Sequence, residues 1–258
     1  MIVDLQVNQG AARWPVLRDV ALAAEDAGFG TLWSLDHFSG GMFGSDSMLE
    51  CFSVLSAWAA VTSLIGVGTL VANVMNRHPG LLANAASTVQ EVSGGRFTLG
   101  LGAGAAPGSA WGLEHEVLGM DLLPTMSQRH QRLVETVGFL REVWAPDRDE
   151  KYAGFPRPVP LPPMVLGVNS EGLARVAGEM FDGVNVRADH PQRAAVLRAA
   201  RDARGGRVGF DVSVWMWLEP DASFDFADLE AEGVNRVVLV QRGAPLPDVI
   251  AGMAKYLR

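Results

Sequence analysis

A chain of 258 residues, 48% of them apolar, is long enough for one large α/β barrel or two small domains around a substantial core. A net charge of −8 with no Lys/Arg run argues against a nucleic-acid or anionic-membrane partner, and no apolar stretch reaches the roughly 18–20 residues of a membrane span. The single cysteine, Cys51, rules out an intrachain disulfide and points to a reducing, cytoplasmic setting.

Along the chain, short β-branched runs alternate with helical periodicity eight times. Residues 2–7 read as the first strand, entered directly from Met1 with no basic region or cleavage site. Residues 16–27 read as the first helix, with Val16, Val20 and Ala24 on one face and Gly28 where a C-capping glycine belongs. Strand two follows at 31–35, a helix at 52–61 and strand three at 65–71. Cys51 opens that second helix ahead of Phe52, Leu55 and Ala59, which makes it a packing residue rather than a nucleophile. The third helix is expected at 81–92, closed by Ser93-Gly94-Gly95, and strand four at 97–101.

The fourth helix shows in Leu133, Val137, Leu140 and Trp144, spaced over three turns. Five prolines between 156 and 163 then form an extended connector, because proline cannot donate to a ladder. Strand five (164–168), a helix (171–180), strand six (183–186) and a helix ending at 204 follow. Strand seven (210–218), a short helix (226–232), strand eight (234–240) and a last helix (247–257) complete the series. Eight βα units imply parallel strands with right-handed crossovers, closed into a single-domain TIM (β/α)8 barrel spanning residues 1–258.

Such a barrel builds its active site at the C-terminal ends of its strands. Strand two ends in Asp36-His37, a carboxylate beside an imidazole that titrates near neutrality. From position alone the pair is either a proton-transfer site or a surface turn. Gly100, Gly102 and Gly104 end strand four, where bare backbone can approach a flat ring or a phosphate, although no Rossmann turn or P-loop is present. Asn169 or Ser170 would cap the helix after strand five, which is either an anion site or an ordinary N-cap. No His/Cys spacing or nucleophile elbow is found, so no metal site is expected.

The ordered stretches Glu25-Asp26-Ala27-Gly28-Phe29, Leu32 to Phe38, Leu64 to Val71, Arg77-His78-Pro79 and Ser93 to Gly104 resemble the luciferase-like oxidoreductases over roughly residues 1–187. Beyond that point only the β/α rhythm matches. The resemblance implies a barrel that binds coenzyme F420, a deazaflavin, or alternatively FMN, and acts on a small organic substrate. It is stronger to the deazaflavin-dependent members, which carry an Asp-His pair after strand two. Carried over, Asp36 lies near the cofactor pyrimidine and His37 near the reacting carbon as base or polariser. Leu70–Val71 matches a non-prolyl cis peptide behind the ring, and Asn73 closes the same strand end. Ala103, Gly104, Val168, Asn169 and Ser170 match segments holding the ring edge and the ribityl-phosphate side.

Glu50 aligns with an acidic residue that can face the pocket, against a plain helix-opening role. Homodimerisation through helices two and three is also implied. Two departures stand out: sugar-phosphate-oxidising members carry an acid where this chain has Ala105, and this chain is short after strands seven and eight. There Trp215, Trp217 and Arg242 line either the pocket or the core. The competing readings are an FMN monooxygenase, a non-catalytic cofactor-binding relative, and a cofactor-free barrel enzyme using Asp36, His37 and Glu219.

Overall fold

The computed structural model describes residues 1–218 and 225–257. Eight strands pair in sequence order, each parallel to the next, and close into a barrel: β1 (Ile2–Val7), β2 (Thr31–Ser34), β3 (Gly66–Asn73), β4 (Phe97–Gly102), β5 (Met164–Gly167), β6 (Gly183–Arg187), β7 (Asp211–Trp217) and β8 (Arg236–Val240). Closure is made by β1 on β8, from Ile2↔Arg236 to Gln6↔Val240. Around them run α1 (Trp14–Ala27), α2 (Cys51–Val61), α3 (Pro79–Val92), α4 (Leu113–Val117), α5 (Met126–Trp144), α6 (Glu171–Met180), α7 (Arg193–Arg204), α8 (Ala227–Ala231) and α9 (Pro247–Ala251).

The boundaries differ from the periodic reading for local reasons. α1 and α3 each start two residues early, because Pro15 and Pro79 sit in first turns where a missing N–H costs nothing. α5 begins at Met126, fixed by a capping box between Thr125 and Gln128 ahead of the apolar stripe. The last helix is not continuous to Leu257; α9 gives way at Gly252 to a 3-10 turn. α4 is an addition in the β4–α5 connection, where no periodicity announced it.

Two apolar cores result. The larger lies between sheet and helices, and a small one in the barrel interior stacks Trp33, Leu70 and Val238. Cys51 is buried in the larger core, and burial pushes its thiol far up. Below the interior cluster, Asp4 accepts from Trp33 Nε1 at 2.8 Å and from Arg236 at 2.8 Å.

The Ser93-Gly94-Gly95-Arg96 and Glu25 signatures occupy the N-terminal face, opposite the strand ends where chemistry is built. Arg96 donates to the carbonyls of Ala59, Thr62 and Ser93. Burial alone would raise the Glu25 carboxyl, but the amides of Ile65, Leu64 and Ser63 outweigh it and hold Glu25 below the usual range. Both are clamps on the α2–β3 turn. The proline connector lies on the same face, held by Gln90 Nε2 on the Pro160 carbonyl at 2.8 Å.

Candidate active site

A cleft of about 890 Å3 opens at the C-terminal ends of the strands. It gathers Asp36 and His37 after β2, Leu70, Val71 and Asn73 of β3, Ala103 and Gly104 after β4, and Val168 and Asn169 after β5. Trp215 and Trp217 of β7 and Arg242 after β8 line it too, and Trp215 also packs against the interior cluster of Trp33, Leu70 and Val238. Glu50 and Ser170 are not in the lining. Glu50 is the N-cap of α2, its carboxylate accepting from the amides of Phe52 at 3.1 Å and Ser53 at 2.7 Å, and Ser170 Oγ caps α6 on the Leu173 amide. The expected pocket-facing role of Glu50 is therefore corrected: the helix start takes its oxygens. Glu219 lies outside the described residues.

The Asp36-His37 turn is built from below. Gln9, fully buried, takes both the Leu35 amide and the Leu35 carbonyl, at 3.2 and 2.5 Å, and so fixes the chain just before Asp36. Asp36 then forms a bidentate pair with Arg77 and also accepts from the Asn73 amide at 2.8 Å. Three of roughly four acceptor positions on its carboxylate are thus occupied. Asp36 lines the cleft but ties β2 to the β3 loop.

Leu70–Val71 is a cis peptide, as the resemblance implied, and it sits where the β3–β4 register shifts between Thr69 and Ala72. Gln6 of β1 donates to the Leu70 carbonyl. The glycines around it have a specific task. A Cβ on Gly102 would stand 2.6 Å from Val71 Cγ2, and one on Gly167 2.8 Å from Val71 Cγ1, so two neighbouring strands make a socket for one bulged side chain. A Cβ on Gly100 would fall 2.0 Å from the Thr69 carbonyl oxygen. These glycines admit the bulge itself; Gly104, at φ +86° beside Met75 and Asn73, is the one required by its backbone.

His37 is where a free functional nitrogen remains. Its Nδ1 lies 2.8 Å from Glu114 Oε1, and its ring packs against Phe43 (centroids 4.9 Å apart) and Trp111 (5.6 Å). Among the described residues no protein group bonds to Nε2. Glu114 and His115 of α4, with Gln6, are the site residues that sequence reasoning missed; the sequence places Arg77 in the β3 loop but does not reveal its pairing with Asp36. His115 is wholly buried, with Nε2 2.7 Å from Asn76 Oδ1, and burial lowers its affinity for a proton. Among the described residues no group of three or more His, Cys, Asp or Glu is arranged to hold a metal ion, and no helix is long and apolar enough to cross a membrane.

An acid–imidazole turn above a bulged, glycine-socketed third strand coincides with a sequence match. The family profile described as luciferase-like monooxygenase covers residues 3–217. The chain belongs to the luciferase-like monooxygenase family.

Within the wider luciferase-like group, it is similar to a 5,10-methylenetetrahydromethanopterin reductase of Archaeoglobus fulgidus, 28% identical over 239 residues, covering 86% of this chain and 65% of the relative. It is also similar to an F420-dependent glucose-6-phosphate dehydrogenase of Nakamurella multipartita, 29% identical over 177 residues, covering 65% of this chain and 50% of the relative. The chain spans half to about two thirds of the length of these two relatives. The fold is shared with an F420-dependent secondary alcohol dehydrogenase solved with an F420–acetone adduct (TM-score 0.78, 17% identity, 99% of this chain and 98% of that one). It is shared equally with the monooxygenase RslO1 from Streptomyces bottropensis (TM-score 0.75, 16% identity, 100% and 98%).

Proposed function

We propose that this chain is an oxidoreductase transferring a hydride between coenzyme F420 and a small organic substrate. The observation that carries the reading is the meeting, in one cleft, of His37 with the Leu70–Val71 bulge. The F420-dependent relatives support the choice of deazaflavin over FMN. When bound, the deazaflavin supplies a two-electron hydride acceptor or donor.

The residues present fit such a group. The bulge forms a supported floor, and Gln241 Oε1 is buried in the cleft lining with no hydrogen-bond partner among the described residues, an acceptor suited to a donor-bearing ligand edge. Leu70 and Val71 would back the ring, Asn73, Ala103 and Gly104 its edge, and Val168 and Asn169 the ribityl-phosphate side, while Ser170 keeps to capping α6. His37 Nε2 would hold the proton that the substrate oxygen gives up or receives. Asp36 keeps that turn in register and does no proton transfer itself. Ala105 removes the acid of the sugar-phosphate enzymes, so a phosphorylated sugar is not the substrate. We place the enzyme, a single barrel domain, in the cytoplasm on its lone buried cysteine, and as a homodimer through α2 and α3 on the resemblance.

Titrating the protein with F420 and with FMN, followed by fluorescence quenching, tests this. Tighter binding of F420 is expected; preferential binding of FMN would move the chain to the oxygen-using branch.

A further inference from the structure

We propose that Glu114 is a positioning residue that fixes the proton of neutral His37 on Nδ1 and turns the Nε2 lone pair to the cleft. The inference rests on His37 being the proton-transfer group proposed above, but its first test does not.

The Glu114 carboxylate is only 9% exposed, and both of its oxygens are engaged. Oε2 accepts from the amides of Phe38 at 2.8 Å and Ser39 at 3.0 Å, while Oε1 faces His37 Nδ1 at 2.8 Å. A carboxylate only accepts, so the shared hydrogen must belong to the imidazole. In the neutral ring this puts the hydrogen on Nδ1 and the lone pair on Nε2, the form able to take a proton from a substrate hydroxyl. Phe43 and Trp111 stand against the ring at 68° and 42°, which opposes a flip that would exchange the nitrogens.

Glu114 is itself held. The next residue, His115, packs edge-on against Phe38 and bonds Asn76 Oδ1 at 2.7 Å, and Asn76 Nδ2 returns to the Asp36 carbonyl at 3.0 Å. One turn of α4 therefore grips the strand-two loop with Glu114 and the strand-three loop with His115. An acid does reach this site from the connection after β4, then, nine positions beyond Ala105. It acts through His37.

The test uses the protein labelled with 15N-histidine and without cofactor. Long-range 1H–15N correlation near pH 8.5, about two units above the ordinary imidazole pKa, reads the His37 tautomer directly. Protonated Nδ1 with bare Nε2 is expected, and protonated Nε2 would overturn the proposal whatever the cofactor proves to be. Glu114→Gln is expected to lose that preference and to lower kcat by about 10-fold or more, up to the roughly 10⁴-fold that follows when the carboxylate of a Ser-His-Asp triad becomes an amide, with F420 affinity and substrate KM within about threefold. Glu114→Asp should recover part of kcat. A uniform loss of F420 binding and KM in both variants would mark Glu114 as a loop anchor and sink the positioning role. Should Glu114→Gln not fold, the wild-type tautomer decides the question. Failure of wild-type protein to bind F420 would overturn the proposed function while leaving the tautomer result standing.

Discussion

Asp36 and Arg77 meet in a bidentate pair, 2.7 Å on each arm, with side chains 3% and 9% exposed. Arg77 also lies over the Phe52 ring at 4.8 Å and 3.5 Å from Glu50, so one guanidinium joins the ends of β2 and β3 to the start of α2.

Breaking this pair from one side leaves a buried charge uncompensated. Arg77→Ala is expected to cost about 3–5 kcal/mol in urea unfolding, whereas Asp36→Asn with Arg77→Met, which removes both charges, should cost less than that single change. A single-variant cost under about 1 kcal/mol would show that the pair does not organise the strand ends.

His37→Ala separates binding from chemistry. Its ring sits at the cleft edge between Phe43 and Trp111, so F420 affinity should change by no more than about threefold while turnover falls 10²- to 10⁴-fold, roughly the worth of one proton-transfer group. Turnover that survived the substitution would remove the role assigned to this imidazole.

The barrel was legible because its information is local. Short β-branched runs set the strands, helical stripes such as Leu133, Val137 and Leu140 set the helices, and the strand ends then named Asp36, His37, Asn73, Gly104 and Asn169 as neighbours, all of which line one cleft. What the sequence hid was pairing. Glu114 lies 77 positions from His37, in a five-residue helix too short to show a period, and nothing local marks its partner. Glu50 misled for the opposite reason: an acid opening a helix looks alike whether it caps that helix or faces a pocket.

The socket around Val71 makes a size-complementation test. Gly102→Ala would overpack against Val71 Cγ2 and should cost about 1–3 kcal/mol, and Val71→Ala in the same chain should return part of it, a coupling of about 0.5–3 kcal/mol in a double-mutant cycle. Gly100→Ala should be worse and not rescued, since its Cβ would meet the backbone oxygen of Thr69. Thermal melts of the four variants check the order; additive losses for Gly102 and Val71 would dismantle the socket.

Asp4 gives the barrel floor a pH signature. Its carboxyl is fully buried; burial lifts it from 3.8 to about 6, with the Arg236 and Trp33 contacts only partly opposing the rise. A raised folded-state value means the folded protein holds the proton more tightly than the unfolded chain between these two values. The stability from this group is therefore complete below about pH 4 and is lost as pH rises through about 6, with a slope of at most about 1.4 kcal/mol per pH unit. His115 acts in the opposite sense: burial lowers it from 6.5, so its contribution is present above that value and lost as pH falls below it. Asp4→Asn keeps an acceptor for Trp33 and Arg236 and removes only the first effect. The difference in unfolding free energy between the two proteins should thus shift in favour of the variant from pH 4 to pH 6 and stay level above it. A shift in favour of the wild type over the same range would mean that the Arg236 ion pair, and not burial, governs Asp4.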